Sequence, residues 1–79
     1  MSPTDEEIKQ MLTERIEKDY TYHAPKGDQV DRYTQLRTKA KELALLIAEL
    51  TPYSREQSLA FTHLDEVVMF ANAAIARNE

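Results

Sequence analysis

Apolar residues recur along this chain at steps of three and four, the period of a helix face. Ile8, Met11, Leu12 and Ile16 make one stripe, in a stretch opened by Thr4, the acids Asp5 and Glu6, and Glu7. Threonine three residues before glutamate is a capping-box spacing, and acids suit the positive end of the helix dipole. A short amphipathic helix over about residues 5–19 is predicted. A loop over 20–27 follows, punctuated by Pro25 and Gly27. Beyond it Tyr33, Leu36, Ala40, Leu43, Ile47 and Leu50 form a heptad seam, predicting a helix over about 28–50 that begins near Asp28. Thr51-Pro52 stops that helix, because proline forces its predecessor out of helical geometry. Ser54 then caps a third helix over about 54–77, with Gln57 completing a second capping box. Along it Phe61, Leu64, Val68, Ala71 and Ile75 repeat the same seam.

Two long helices joined by so short a turn are expected to form an antiparallel hairpin. The fold class is therefore all-α: a short N-terminal helix plus a long antiparallel helical hairpin, with residues 1–79 as a single helical domain. One seam does not use all the apolar residues. Ala44, Leu46 and Ala48 widen the first, Leu45 falls elsewhere, and Leu59, Val67, Met69 and Phe70 surround much of the last helix. Apolar residues on several faces of so small a unit imply burial against other chains. Disulfides and cysteine-based metal sites are excluded as reinforcement, since the chain has no cysteine. Assembly as a compact homo-oligomer is the expected remedy for a 79-residue chain.

Composition narrows the function classes. His23 and His63 form no ligand motif, so neither metal nor cofactor is expected. With no apolar run read as approaching the roughly 20 residues of a bilayer span, and an acidic N-terminus, the expected location is the cytoplasm. A net charge of −4 argues against duplex nucleic acid as a partner. The charge is unevenly spread. Residues 1–19 carry six acids against three bases, residues 20–41 five bases against two acids, and residues 42–79 six acids against two bases.

The segment "TYHAPKGDQ" thus lies in the one basic stretch of an acidic chain. Tyr20, Tyr22, His23 and Tyr33 supply ring faces there, and Lys26, Arg32, Arg37, Lys39 and Lys41 supply cations. Rings stack on nucleobases and cations pair with phosphate oxygens, so the combination suits a nucleotide. Arg37 and Lys41 follow Tyr33 at successive four-residue steps, and the loop is expected to bring Tyr22 and His23 towards them. On the residues alone, solvation of a helix face, a core role for Tyr33 and a surface role for His23 account for the same pattern. Catalysis finds no support. His63, Asp65 and Glu66 point different ways on a helix, Ser54, Ser58 and His63 lack an ordered acid and an oxyanion device, and one glycine makes no phosphate loop.

The stretches "TYHAPKGDQVDRYTQLRTKAKELA" and "TPYSREQSLAFTHLDEVVMFANAAIARNE" resemble a family of small phage proteins that act as anti-CBASS cyclic-nucleotide sponges. Tyr-His-x-Pro before a helix, Arg-Tyr-x-x-x-Arg within it, and the "SREQSLA" and "ANAAIARN" segments carry the likeness, over about residues 20–79. The resemblance implies immune evasion without chemistry: the protein sequesters cyclic di- and trinucleotide messengers, such as cGAMP, before they reach a cell-killing effector. It implies a homo-oligomer, described for the family as a hexamer, with ligands in pockets between protomers in the host cytoplasm. Carried over by position, Tyr22 is the candidate stacking ring, Arg37 and Lys39 candidate phosphate contacts, and Thr38 a hydroxyl donor. His23 and Lys26 join them, and a second, trinucleotide pocket would recruit Arg55 and Arg77. Phe70 stands where relatives often carry tryptophan, which keeps the ring and removes an indole donor.

Three rivals predict different behaviour. A helical interaction protein would bind a host protein through its exposed apolar face and ignore small ligands. A single-strand binder would take linear oligonucleotides with a steep salt dependence. A degrading enzyme would return altered ligand.

Overall fold

A computed structural model describes residues 2–79; Met1, the first residue of the expected domain, lies outside the described residues. The described residues form three helices and no strand: α1 (Asp5–Tyr20), α2 (Gln29–Leu50) and α3 (Arg55–Asn78). Each bound lies within a residue or so of the range read from the spacing.

Local chemistry accounts for the ends. Thr4 Oγ1 accepts the Glu7 amide at 3.2 Å, and Asp5, Glu6 and Glu7 fill the first turn of α1. Gly27 has φ 58, and the Gln29 amide donates to the Lys26 carbonyl at 3.1 Å, closing a turn that only glycine enters without strain. Thr51, held extended at φ −121 by the following proline, ends α2 with its amide and its hydroxyl both donating to the Ile47 carbonyl. Ser54 Oγ accepts the Gln57 amide at 3.1 Å. The second capping box is altered, however. The Gln57 side-chain amide turns back to Thr51, reaching its carbonyl at 3.2 Å and its hydroxyl at 3.1 Å, because the four-residue turn presents those acceptors.

α2 and α3 pack against one another in antiparallel fashion, the start of α2 lying beside the end of α3. Tyr33, Leu36, Ala40, Ala44 and Ile47 of α2 are half-buried against Phe61, Leu64, Val68, Ala71 and Ile75 of α3. The seam differs from the expected one in its second half. Leu43 and Leu50 are exposed and Ala44 replaces them, since a straight helix of 3.6 residues per turn drifts off a strict seven-residue repeat.

Among the described residues no hydrophobic side chain is fully buried, and the single buried residue is Gln29, at 6% exposure. α1 leaves the hairpin, and near its own end Lys18 Nζ donates to Asn78 Oδ1 at 3.4 Å and Asp19 pairs with Arg77 at 3.7 Å. Its stripe, Ile8, Met11, Leu12 and Ile16, is uncovered. The result is extended, 52 × 33 × 21 Å with a radius of gyration of 17.9 Å. A compact chain of this length would have about 12 Å.

α3 also corrects one expectation. It contains an 18-residue window of mean hydropathy 1.3, long and apolar enough by composition to cross a membrane. His63, Asp65 and Glu66 interrupt the apolar run, while alanines sustain its average hydropathy. Those same residues argue against insertion. Carboxylates at the centre of a span each cost roughly 2.5–3.5 kcal/mol on an insertion scale, and Glu66 is here paired with His63 at 3.2 Å on a half-wet face.

Candidate functional site

The loop between α1 and α2 folds against the end of α3. Its course follows from its residues: Pro25 restricts the backbone, Gly27 makes the left-handed turn, and the Gln29 side chain accepts the Lys26 amide at 3.0 Å. Gln29 Nε2 then donates to Glu79 Oε1 at 3.4 Å, tying the loop to the residue after α3. Asp28 occupies the N-cap position of α2 without capping it, and its carboxylate pairs with Arg32 at 3.2 Å instead. Arg32 carries the other half of the tie, with Nη1 donating to Glu79 Oε2 at 2.8 Å and Nη2 to Oε1. The guanidinium beside it, helped by the Gln29 amide, holds the Glu79 carboxyl at about 2, and the same pairing raises Arg32.

These ties frame a cleft of about 450 Å³ lined by Lys18, Tyr22, His23, Ala24, Lys26, Gln29, Tyr33, Ala76, Arg77 and Glu79. The volume is in the range of small-molecule sites. Two phenol rings and an imidazole lie with three cationic side chains around one concavity, a set able to stack on a base and neutralise a phosphate. Tyr22, at 85% exposure, has given up no surface to a core and is available for stacking. Tyr33 is half-buried and lines the cleft, so its seam and ring-platform roles coincide.

Of the eight residues singled out in the sequence, the structure brings four together here: Tyr22, His23, Lys26 and Arg77. The others lie apart. Arg37, with Lys41, lines a separate groove of about 420 Å³ floored by Leu64, Val68 and Met69. The expectation that the loop brings Tyr22 and His23 towards Arg37 and Lys41 is therefore corrected. The loop closes on Arg77 and Glu79, while each four-residue step along α2 moves a side chain about 6 Å further off. Lys39 lines a third groove with Arg32, Gln35, Leu36 and Ile75. Thr38 lies between those two faces and lines neither groove. Arg55 stands at the turn end, the length of α2 from the cleft, roughly 33 Å for 22 residues. Among the described residues no cluster of His, Asp and Glu could hold a metal ion.

Sequence reasoning missed Lys18, Gln29 and Glu79. Gln29 had one available signal, its position two residues after the chain's only glycine at a helix start. Glu79 had none, since its partner Arg32 is 47 positions away.

Residues 12–76 match the family described as Acb2/Tad1, hairpin domain. The chain belongs to that family, the anti-CBASS cyclic-nucleotide sponges. No curated protein and no solved structure matches it. The match to the Acb2/Tad1 hairpin covers the loop, α2 and nearly all of α3, together with the part of α1 that follows Met11. It stops just short of Arg77 and Glu79, two of the residues that close the cleft.

Proposed function

We propose that this protein is an immune-evasion sponge that binds cyclic oligonucleotide messengers, cyclic dinucleotides such as cGAMP and cyclic trinucleotides, and holds them without degrading them. The observation that carries the reading is the gathering, in a chain of the sponge family, of Tyr22, His23 and Tyr33 with Lys18, Lys26 and Arg77 around one cleft. Tyr22 stacks on a base, Lys26 and Arg77 take phosphate oxygens, and His23 lines the wall.

The pockets are completed by further copies of the chain, as a homo-oligomer, expected to be a hexamer. Surface area supports this part. The chain exposes 6908 Å², where a compact monomer of 9.1 kDa would expose about 4,900 Å². The surplus is more than twice the roughly 800 Å² that one partner contributes to a standard interface. Arg37, Thr38, Lys39 and Arg55, separated from the cleft in one chain, reach ligand in this reading from neighbouring protomers. The site of action is the host cytoplasm, with neither membrane nor duplex nucleic acid as partner.

Titration calorimetry with a cyclic dinucleotide and a cyclic trinucleotide, then heat release and chromatography of the ligand, tests the reading. Binding with intact ligand returned is the expected result, and light scattering should give a multiple of 9.1 kDa. Altered ligand would indicate an enzyme. Absence of binding, with a stable host-protein complex in its place, would favour the interaction-protein reading.

A further inference from the structure

Glu79 is an unexpected wall for a cleft that should receive phosphate. Its carboxylate faces a concavity otherwise edged by Lys18, Lys26 and Arg77, and both of its oxygens are engaged by the Arg32 fork, with Gln29 donating to one of them. Planar, two-point pairing of a guanidinium with two oxygens is the geometry arginine uses for phosphate as well as carboxylate. Arg32 itself does not line the cleft; it lines the neighbouring groove of about 370 Å³ that carries Lys39. The Glu79–Arg32 pair is thus the partition between the two concavities.

We propose that Arg32 is an anion subsite masked in the free chain by Glu79, which acts as an intramolecular competitor for a ligand phosphate. When the carboxylate swings aside, Arg32 opens to the ring-lined cleft, and the groove bearing Lys39 joins it. Three features support the exchange. Glu79 follows the last residue of α3, so its displacement breaks no helical turn. Arg32 keeps a second anchor, Asp28 at 3.2 Å, and stays oriented when Glu79 leaves. The pair is only half-shielded from water, with side-chain exposures of 35% and 40%, which makes it weak enough to exchange. The ligand class is a phosphate or phosphodiester, and the proposal rests on the sponge reading only for which phosphate enters.

The test uses the full chain and three forms, wild type, Glu79→Gln and Glu79→Asp, titrated with inorganic pyrophosphate while the Arg32 Nε–H resonance is followed by NMR. Both variants should respond at concentrations that leave the wild type unmoved, Glu79→Asp because its shorter arm cannot engage both guanidinium nitrogens. Adding Arg32→Gln to Glu79→Gln should abolish the gain in pyrophosphate binding, read by calorimetry because the substitution removes the guanidinium resonance. The same three forms, titrated by calorimetry with a cyclic dinucleotide, should show the variants binding about two- to fivefold tighter, the size expected of removing a half-exposed competing ion pair. Equal pyrophosphate response in wild type and variants overturns the mask. So does tightening by Glu79→Gln alone, which would mean a general charge effect, and Glu79→Asp keeps the test open if the glutamine form folds poorly. A positive pyrophosphate result with no cyclic-nucleotide binding in any form supports the masked subsite and overturns the sponge reading.

Discussion

At the turn end of the hairpin, Ser54 takes the Gln57 amide, Gln57 reaches Thr51, and Thr51 returns to Ile47, all within ten or so residues of one another. At the loop end, Arg32 and Gln29 reach Glu79, Lys18 reaches Asn78, and Asp19 pairs with Arg77, across separations of 47 to 60 positions. Helix ends leave backbone groups unsatisfied, and the turn end deals with them locally. The loop end instead spends its side chains on joining distant segments, and it is there that the rings and cations converge. A site assembled from the start of α2 and the end of α3 depends on the hairpin having formed; the turn does not.

The strongest way to break this contrast is at Tyr22. Tyr22→Ala should weaken cyclic-dinucleotide binding by about five- to 150-fold, the range of losing one base–aromatic stack, with the helical circular dichroism unchanged because the ring is exposed. An equal loss from Tyr53→Ala, an exposed ring at the turn end, in calorimetry under the same conditions, would show that binding is not organised by the loop end.

Gly27→Ala comes next. A Cβ at Gly27 meets nothing within 4 Å, so the cost is the left-handed backbone alone, about 1–2 kcal/mol. Thermal denaturation should show that loss together with weakened binding. Ser54→Ala, at the opposite end, should cost about 1 kcal/mol for a lost N-cap and leave affinity for the cyclic ligand unchanged in the still-folded protein. A drop in affinity there would couple the two ends.

The smallest effect is a titration. The Glu79 carboxyl is held near 2, below its ordinary 4.5, by Arg32. Because the folded value is the lower one, the pairing stabilises the loop end fully above about pH 4.5 and fades as pH falls through about 2. Carbon-detected NMR of the Glu79 side chain should place its midpoint well below the ordinary glutamate value of 4.5. An ordinary midpoint would remove the tie that distinguishes the loop end.

Helix positions, caps and the hairpin were legible because each rests on spacing within a few residues: Thr4 to Glu7, Ser54 to Gln57, Thr51 before Pro52, and two runs of apolar steps. Tyr22, His23 and Lys26 were legible as a set for the same reason, being packed into one short basic loop. The grouping of Arg37 with them was not, because a loop's direction depends on what receives it. Here Glu79 and Arg77 receive it, and no local pattern announces a contact spanning 47 residues.

What the sequence determined by itself was therefore an all-helical hairpin with a ring-bearing basic loop and more apolar surface than one chain can cover. The tertiary structure alone decided which end of the hairpin holds a cleft and which cations line it. It also placed an acid, Glu79, inside. Periodicity dictates which face a residue occupies, whereas the meeting of two faces is a property of the packed chain, and long-range ion pairs leave no periodic trace.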